Sequence, residues 1–262
     1  MSEAALLEVT ALAKRYGGVQ AVRGVSFRLM RGEILALIGP NGAGKSTCFN
    51  MLNGQIKPDG GTILLDGQAV TGLSPAGMWR RGVGRTFQIT ATFGSMTVRE
   101  NVQTALLAHA GRIRRMIGTA GNAQREEADS LLDLVGLRQQ SDRVCRALAY
   151  GDLKRLELAV ALTNDPKLLL MDEPTAGIAP TERIALMRFT ADLARRRSIG
   201  VLFTEHDMDI VFEHADRVMV LNRGELIAVG TPDVVRRDER VRATYLGDGL
   251  VYAPQAGQEA TT

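Results

Sequence analysis

Apolar residues recur along this chain with two different periods, and the switches between them mark its elements. Residues 6–9 and 25–29 read as short strands on either side of the Gly17-Gly18 turn, the second alternating apolar and polar. Residues 34–38, Ile-Leu-Ala-Leu-Ile, form a fully apolar run that ends in a glycine-rich loop, and residues 45–52 continue as a helix. Asp59-Gly60-Gly61 and Asp66-Gly67 bracket residues 62–65 and predict a hairpin strand there. Residues 83–87 supply another strand. Thr97-Val98-Arg99-Glu100 has the spacing of a capping box and opens a helix. Ala128, Leu131, Leu132 and Val135 fall at i, i+3, i+4 and i+7, with Gly136 placed to end their helix. Beyond Gly151 the elements alternate: strands at 168–171, 201–204 and 218–222, and a helix from Pro180. Alternation of this kind predicts a parallel sheet covered by helices. There is no internal repeat, so one unit is expected rather than a tandem pair.

Composition narrows the class. The 262 residues suit one large α/β domain with insertions. With 45% hydrophobic and 23% charged residues the chain reads as an ordinary globular protein. The net charge of +3, with acids interspersed, suits an anionic ligand or a site beneath a membrane and does not demand nucleic acid. Cys48 and Cys145 are isolated, with no CxxC pair, which excludes a disulfide framework or a zinc motif and fits a reducing cytoplasm. The start, Met-Ser-Glu-Ala-Ala, lacks the features of a signal peptide, and no apolar stretch approaches the ~20 residues that span a bilayer. A membrane role is therefore expected to act through a partner. The small, polar tail is expected to be disordered over 251–262.

The chemistry starts at Gly39-Pro40-Asn41-Gly42-Ala43-Gly44-Lys45-Ser46-Thr47, which matches GxxxxGK[ST] between a strand and a helix. Glycines at these positions let backbone N–H groups turn inward around phosphate oxygens, and the helix N-terminus adds positive potential. Lys45 is expected to reach the β- and γ-phosphates, and the Ser46 hydroxyl to ligate Mg²⁺. Residues 168–173, Leu-Leu-Leu-Met-Asp-Glu, are an apolar strand ending in two acids. Asp172 is expected to hold Mg²⁺ from a strand end beside the P-loop strand, and Glu173 to face the water that attacks the γ-phosphate. Two acids after a strand are otherwise more often a cap or a solvated turn.

Leu148-Ala149-Tyr150-Gly151-Asp152 stands at the start of a helix shortly before the acidic strand, and resembles the ABC signature, usually LSGGQ. Arg85-Thr86-Phe87-Gln88 places Gln88 at the family's Q-loop position, and Thr204-Glu205-His206-Asp207 places His206 at its switch histidine. Tyr16 lies where ABC proteins put an aromatic that stacks on adenine. The resemblance covers nearly the whole chain except the tail. It implies a RecA-like P-loop NTPase core with a mostly parallel sheet, an N-terminal antiparallel β subdomain and a helical subdomain inserted at approximately 89–160, together forming one ATPase domain over 1–250. It further implies MgATP as substrate, Glu173, His206 and Gln88 as catalytic residues, and Ser46, Gln88 and Asp172 as metal ligands. Tyr16, residues 39–47 and residues 148–152 would contact nucleotide, the last from a second ATPase subunit.

Finer features are similar to the branched-chain amino acid importer ATPases: the Leu-Ala-Tyr-Gly signature, Gly84-Arg85-Thr86-Phe87-Gln88, Met96-Thr97-Val98-Arg99-Glu100-Asn101 and Ala243-Thr244-Tyr245-Leu246-Gly247. The implied partners are transmembrane permease subunits, a second ATPase chain and, indirectly, an extracytoplasmic solute-binding protein, with the chain on the cytoplasmic face of the membrane. Importers of urea, amides or aromatic acids stay open as alternatives. A DNA-repair or translation ATPase of the same family would need a coiled-coil insertion or a second nucleotide unit, and neither is present. A P-loop kinase or GTPase would not need residues 148–152 or His206.

Three positions depart from the family pattern. Ala149 replaces the usual signature serine, leaving backbone N–H groups to hold the anion. Asp152 replaces the usual glutamine and brings negative charge toward phosphate. Ala179 stands where many relatives have Asp or Asn. His109 and His214 read as surface or structural histidines, Trp79 as a packing residue, and Arg112, Arg114 and Arg115 as a solvated helix face.

Overall fold

The computed structural model describes residues 4–86, 92–111 and 124–246. Its strands form two sheets. β1 (Leu7–Tyr16) and β2 (Val19–Leu29) make an antiparallel hairpin, and β4 (Gly60–Leu65) and β5 (Gln68–Ala69) extend it in the order β2-β1-β4-β5. β3 (Ile34–Ile38), β6 (Val83–Thr86), β7 (Leu168–Asp172), β8 (Gly200–Thr204), β9 (Arg217–Asn222) and β10 (Glu225–Gly230) form the second sheet, ordered β10-β9-β3-β8-β7-β6. Strands β9, β3, β8, β7 and β6 run parallel, and β10 turns back along one edge.

The parallel strands read as unbroken apolar runs because both of their faces are covered. On β3, Ile34, Ala36 and Ile38 pack to one side, and Leu35 and Leu37 to the other. The same split separates Leu169 and Met171 from Leu168 and Leu170, and Val218 and Val220 from Met219 and Leu221. The first set meets α3 (Val98–His109), α4 (Arg125–Leu134), α5 (Tyr150–Ala161), α6 (Pro180–Arg197) and α7 (Met208–His214). The second meets the antiparallel sheet and α1 (Lys45–Leu52) through Leu7, Leu12, Phe27, Leu29 and Phe49.

Helices α3 to α5 lie between β6 and β7 in the chain. The capping box forms as expected: Glu100 N–H donates to Thr97 Oγ1 (3.2 Å) and Thr97 N–H to Glu100 Oε2 (2.8 Å). A cap of this kind stabilises the helix by ~1 kcal/mol. Val98, Val102 and Leu106 of α3 pack with Ala128, Leu132 and Leu156. The buried Arg99 ties the group together through Asp129 (2.6 Å), Ser141 (2.6 Å) and Asp142. At its far end α5 presses on β6, where a Cβ on Gly84 would stand 2.5 Å from Ala161 O. That contact fixes the distance of α5 from the sheet.

Both hairpin strands outrun the predicted strands at 6–9 and 25–29. Register shifts around Leu12, with Ala11 at φ 48°, let polar residues continue the ladder on an exposed side. Short elements that the periodicity does not predict also appear: α2 (Pro75–Arg80), β10, α7, α8 (Pro232–Arg237) and α9 (Glu239–Leu246). The predicted strand at 83–87 is described to Thr86, and Phe87, Gln88, Arg112, Arg114, Arg115 and residues 251–262 lie outside the described residues. Among the described residues no helix is long and apolar enough to cross a membrane.

Candidate functional site

Strands β3, β8 and β7 are neighbours and parallel, so the loops that follow them emerge at one edge of the sheet. Carboxyl ends of parallel strands are where such sheets bind ligands. One expectation is corrected here. Asp172 does not end a strand beside β3, because β8 pairs with both β3 and β7 and separates them. The intervening strand is what brings Thr204, Glu205 and His206 between the P-loop and the two acids.

Residues 39–47 join β3 to α1. Gly39 takes φ 154° and Gly44 φ 103°, and both are closely overlaid. A Cβ on Gly39 would lie 2.1 Å from Leu221 O, and one on Gly44 2.3 Å from Ala21 O. Only glycine lets the loop lie between β9 and β2 at this distance. Gly224 N–H donates to Ala43 O (2.9 Å), pinning the loop to the β9–β10 turn. α1 starts without a side-chain cap, so its first amides and its dipole are open to an anion. Asn41, Gly42 and Ser46 are exposed and Thr47 is half-buried. The Lys45 ammonium donates to Gly39 O (2.6 Å) and Pro40 O (3.1 Å). Burial pulls its pKa below the ordinary lysine value, while the charges of Glu173 and Asp172 act in the opposite sense.

Thr204 Oγ1 donates to Asp172 Oδ1 (2.7 Å), and Arg85 Nη2 lies 3.7 Å from Asp172 Oδ2. Arg85 also donates to Gln55 Oε1 (2.9 Å), and its guanidinium stands 6.0 Å from the centre of the Phe49 ring. Burial lowers the Arg85 pKa from its ordinary value, and Asp172 opposes that shift. Glu173 is at φ 48°, a left-handed conformation that costs a non-glycine residue of order 1 kcal/mol or more. Its N–H donates to both Thr204 O and Thr204 Oγ1, each at 3.1 Å. This turn sets Glu173 Oε1 2.9 Å from His206 Nε2. An ionised carboxylate only accepts, so the contact is a hydrogen bond in the tautomer that carries its proton on Nε2. The His206 side chain is 50% exposed and that of Glu173 21%, so the pair opens to the solvent side.

Residues 148–152 start α5. Ala149 is the N-cap residue, with extended backbone and no side-chain bond, so the first-turn amides are not taken up by a cap. Leu148 is buried, Tyr150 is exposed, and Asp152 Oδ2 accepts from Gln140 Nε2 (2.8 Å). The charge of Asp152 is thus engaged by the flanking turn. A Cβ on Gly151 would meet Glu182 Oε2 at 2.4 Å, and one on Gly177 would meet the Tyr150 ring at 2.9 Å. Among the described residues, the hydrogen bonds of 148–152 do not reach the P-loop. Ala149→Ser restores a side-chain cap, worth ~1 kcal/mol to α5. The variant is expected to melt no lower than the wild type and to stay within ~3-fold in ATPase rate, a change below 1 kcal/mol in barrier. A severe loss of turnover at unchanged melting temperature would show that position 149 has to be small.

Tyr16 ends β1, paired in register with Val19 and 48% exposed, with Lys14 Nζ 5.7 Å from its ring centre. This hairpin end is tied to the P-loop through Ala21, whose carbonyl lies against Gly44. Gln88 lies outside the described residues. Ala179 is exposed and is the N-cap residue of α6.

Sequence reasoning missed Thr204, Glu205, Thr175, Arg85 and Arg183 as site residues. Glu205 is buried and accepts from Thr175 N–H, Thr175 Oγ1 and His206 N–H. Arg183 joins Ile178 O (2.7 Å) to Asp207 Oδ2 (3.0 Å). The available signal was position: Thr204 and Glu205 immediately precede His206, and Arg85 stands three residues before Gln88.

Residues 22–176 match the profile of the family described as ABC transporter, and residues 225–251 that described as branched-chain amino acid ATP-binding cassette transporter. The chain is 41% identical over 250 residues to the high-affinity branched-chain amino acid transport ATP-binding protein LivG of Escherichia coli (strain K12), covering 93% of this chain and 98% of the relative. It is 35% identical over 243 residues to the lipopolysaccharide export system ATP-binding protein LptB of Haemophilus influenzae, again covering 93% and 98%. Among solved structures, an ATP-binding cassette of an ABC transporter in its ADP conformation is 29% identical, with a TM-score of 0.84, covering 93% of this chain and 99% of that chain.

Proposed function

The chain belongs to the ABC transporter family of ATP-hydrolysing cassettes, and from that premise we propose that it energises an importer of branched-chain amino acids. The observation that carries the solute class is the match of residues 225–251, outside the cassette profile itself, to the branched-chain family. In this reading residues 1–250 act as one ATPase domain with a helical subdomain at approximately 89–160. The chain works at the cytoplasmic face of the membrane, bound to transmembrane permease subunits that receive solute from an extracytoplasmic binding protein.

ATP enters with adenine on Tyr16 and its phosphates in the 39–47 loop. The amides of α1 and the Lys45 ammonium take the β- and γ-phosphate oxygens, with Lys45 exchanging its bonds to Gly39 O and Pro40 O for them. The Ser46 hydroxyl and Asp172 carboxylate are hard oxygen donors that fit Mg²⁺, with Gln88 completing the set. When bound, Mg²⁺ neutralises charge building on the phosphates. Glu173 and His206 stand together at 2.9 Å, and in this reading both face the γ-phosphate. An arriving γ-phosphate draws the His206 N–H to itself and frees the Glu173 carboxylate to orient water and accept its proton.

The turn at 148–152 lies close to its own Gly177 and Glu182, and its hydrogen bonds among the described residues do not reach its own P-loop; in this reading its amides serve a second ATPase subunit. Two such subunits, identical or merely similar, share each ATP. Loss of the γ-phosphate removes the bonds that hold them shut, and that opening moves the permease.

The similarity to the lipopolysaccharide exporter ATPase keeps one second reading in play, an export cassette of the same build. Reconstitution separates the two. Tagged chain purified from the membranes of its own cells is expected to bring membrane-spanning chains with it. Proteoliposomes of that complex should then take up labelled leucine, isoleucine or valine when ATP is supplied on the side of this chain. Uptake of urea, short amides or aromatic acids instead would reassign the solute, and outward movement of lipopolysaccharide would reassign the direction. Purification without any membrane chain would overturn the transport reading.

A further inference from the structure

We infer that Glu205 is a positioning residue for hydrolysis: its buried carboxylate staples the loop carrying Glu173 to the loop carrying His206 and so sets the spacing of that pair. The inference rests on the reading of Glu173 as base and His206 as switch.

Glu205 stands just past the end of β8 and is 4% exposed. A buried carboxylate is retained only where donors or a cation compensate its lost hydration. Among the described residues no ion pair reaches Glu205; donors alone satisfy it. Oε1 accepts from Thr175 N–H (2.9 Å) and Thr175 Oγ1 (2.6 Å), and Oε2 accepts from His206 N–H (3.1 Å). Thr175 is two residues beyond Glu173, and His206 is the next residue to Glu205 itself. One side chain therefore holds both loops, through the backbone N–H groups of Thr175 and His206 and the Thr175 hydroxyl. Thr204 makes the parallel connection through Asp172 Oδ1 and Glu173 N–H. Glu173 sits in a left-handed conformation that needs outside support; Thr204 binds its N–H directly, and Glu205 binds Thr175 two residues on. Nothing in these contacts touches the P-loop, so the staple acts on the reacting geometry and not on nucleotide capture.

Glu205→Gln tests this directly. The amide keeps one oxygen for Thr175 but turns an –NH₂ toward the His206 N–H, donor against donor. Hydrolysis is expected to fall ~10-fold or more in kcat, with KM for MgATP and fluorescent-nucleotide affinity within ~3-fold of the wild type. The melting temperature should stay within ~3 °C. Parallel loss of affinity, melting temperature and rate would mark a purely structural role and overturn the inference. So would wild-type kcat. Should Glu205→Gln fail to fold, Thr175→Val removes a single donor from the same carboxylate without changing side-chain shape. It is expected to lower kcat ~3-fold or more at constant KM, and wild-type turnover in it overturns the staple. Glu173→Gln run alongside keeps the two failures apart. If Glu173→Gln is inactive and Glu205→Gln fully active, only the staple fails. If Glu173→Gln turns over normally, the underlying site reading fails with it.

Discussion

Glu173→Gln is expected to bind ATP as tightly as the wild-type chain and to lose hydrolysis by ~10²-fold or more, the scale of removing a general base. The substitution is nearly isosteric and leaves the fold its supports. The backbone N–H of residue 173 still reaches Thr204, and the retained side-chain oxygen still accepts from His206 Nε2 at the 2.9 Å seen here. What it loses is the only property that hydrolysis asks of this carboxylate, the ability to accept a proton from water. Binding should be spared because the groups expected to hold the triphosphate are on a different loop, around Lys45 and the first turn of α1. Phosphate release measured beside a fluorescent-nucleotide titration separates the two effects. With MgATP the variant should also accumulate a closed dimer, visible by light scattering, either alone or after addition of a cognate second ATPase. Turnover near the wild-type rate would place the base elsewhere, with His206 the next residue to test. Full cooperative turnover from a proven monomer would remove the shared-site mechanism itself.

The parts of this site that the sequence made legible are those whose chemistry is local. Gly39 and Gly44 are readable because their spacing ahead of Lys45 is fixed within one short loop and both take positive φ there. The strand 168–172 is readable because burial on both faces leaves an apolar run that ends only where Asp172 becomes half-exposed. Strand order is a different kind of fact. Nothing within residues 168–172 says that β8 and not β3 pairs with them, since either neighbour would offer the same apolar faces. The hairpin β1–β2 is longer than its sequence pattern predicts because its second half carries polar residues on an exposed side and passes a bulge near Ala11. The short α7 and α8 carry too few turns for a periodic signal, and α7 starts at a capping Asp207 that is itself held by Arg183.

Glu205 shows why supporting residues are harder to see than reacting ones. A single acid before a histidine reads as solvated, and its partner Thr175 lies 30 residues away in the chain. Only the pairing of β7 with β8 brings the two together. Arg85 is a similar case: its place three residues before Gln88 marks the family resemblance, while its contacts with Asp172 and Gln55 are visible only in the fold.

Lys45→Ala is expected to abolish tight binding of ATP and ADP, with affinity falling ~10²-fold or more. The Lys45 ammonium is already poised in the loop, donating to Gly39 O and Pro40 O at 2.6 and 3.1 Å. A phosphate oxygen entering the loop gains a charge-assisted bond there, and such bonds contribute roughly 1.5–3 kcal/mol each. Partial burial strengthens the effect, because the same desolvation that lowers the lysine pKa also reduces the screening of its charge toward phosphate. Alanine removes the cation and leaves Gly39 O and Pro40 O without their donor, so the anion keeps only the amides and dipole of α1. The loss should depend on phosphate count. ATP and ADP should suffer, while AMP and adenosine, whose contacts are expected to lie toward Tyr16, should bind the variant and the wild type equally weakly. Fluorescent-nucleotide titrations across that series measure it. Micromolar affinity for ATP retained in Lys45→Ala would mean that the loop at 39–47 is not where the triphosphate sits. An equal loss for adenosine would mean that the substitution had collapsed the loop and not merely discharged it.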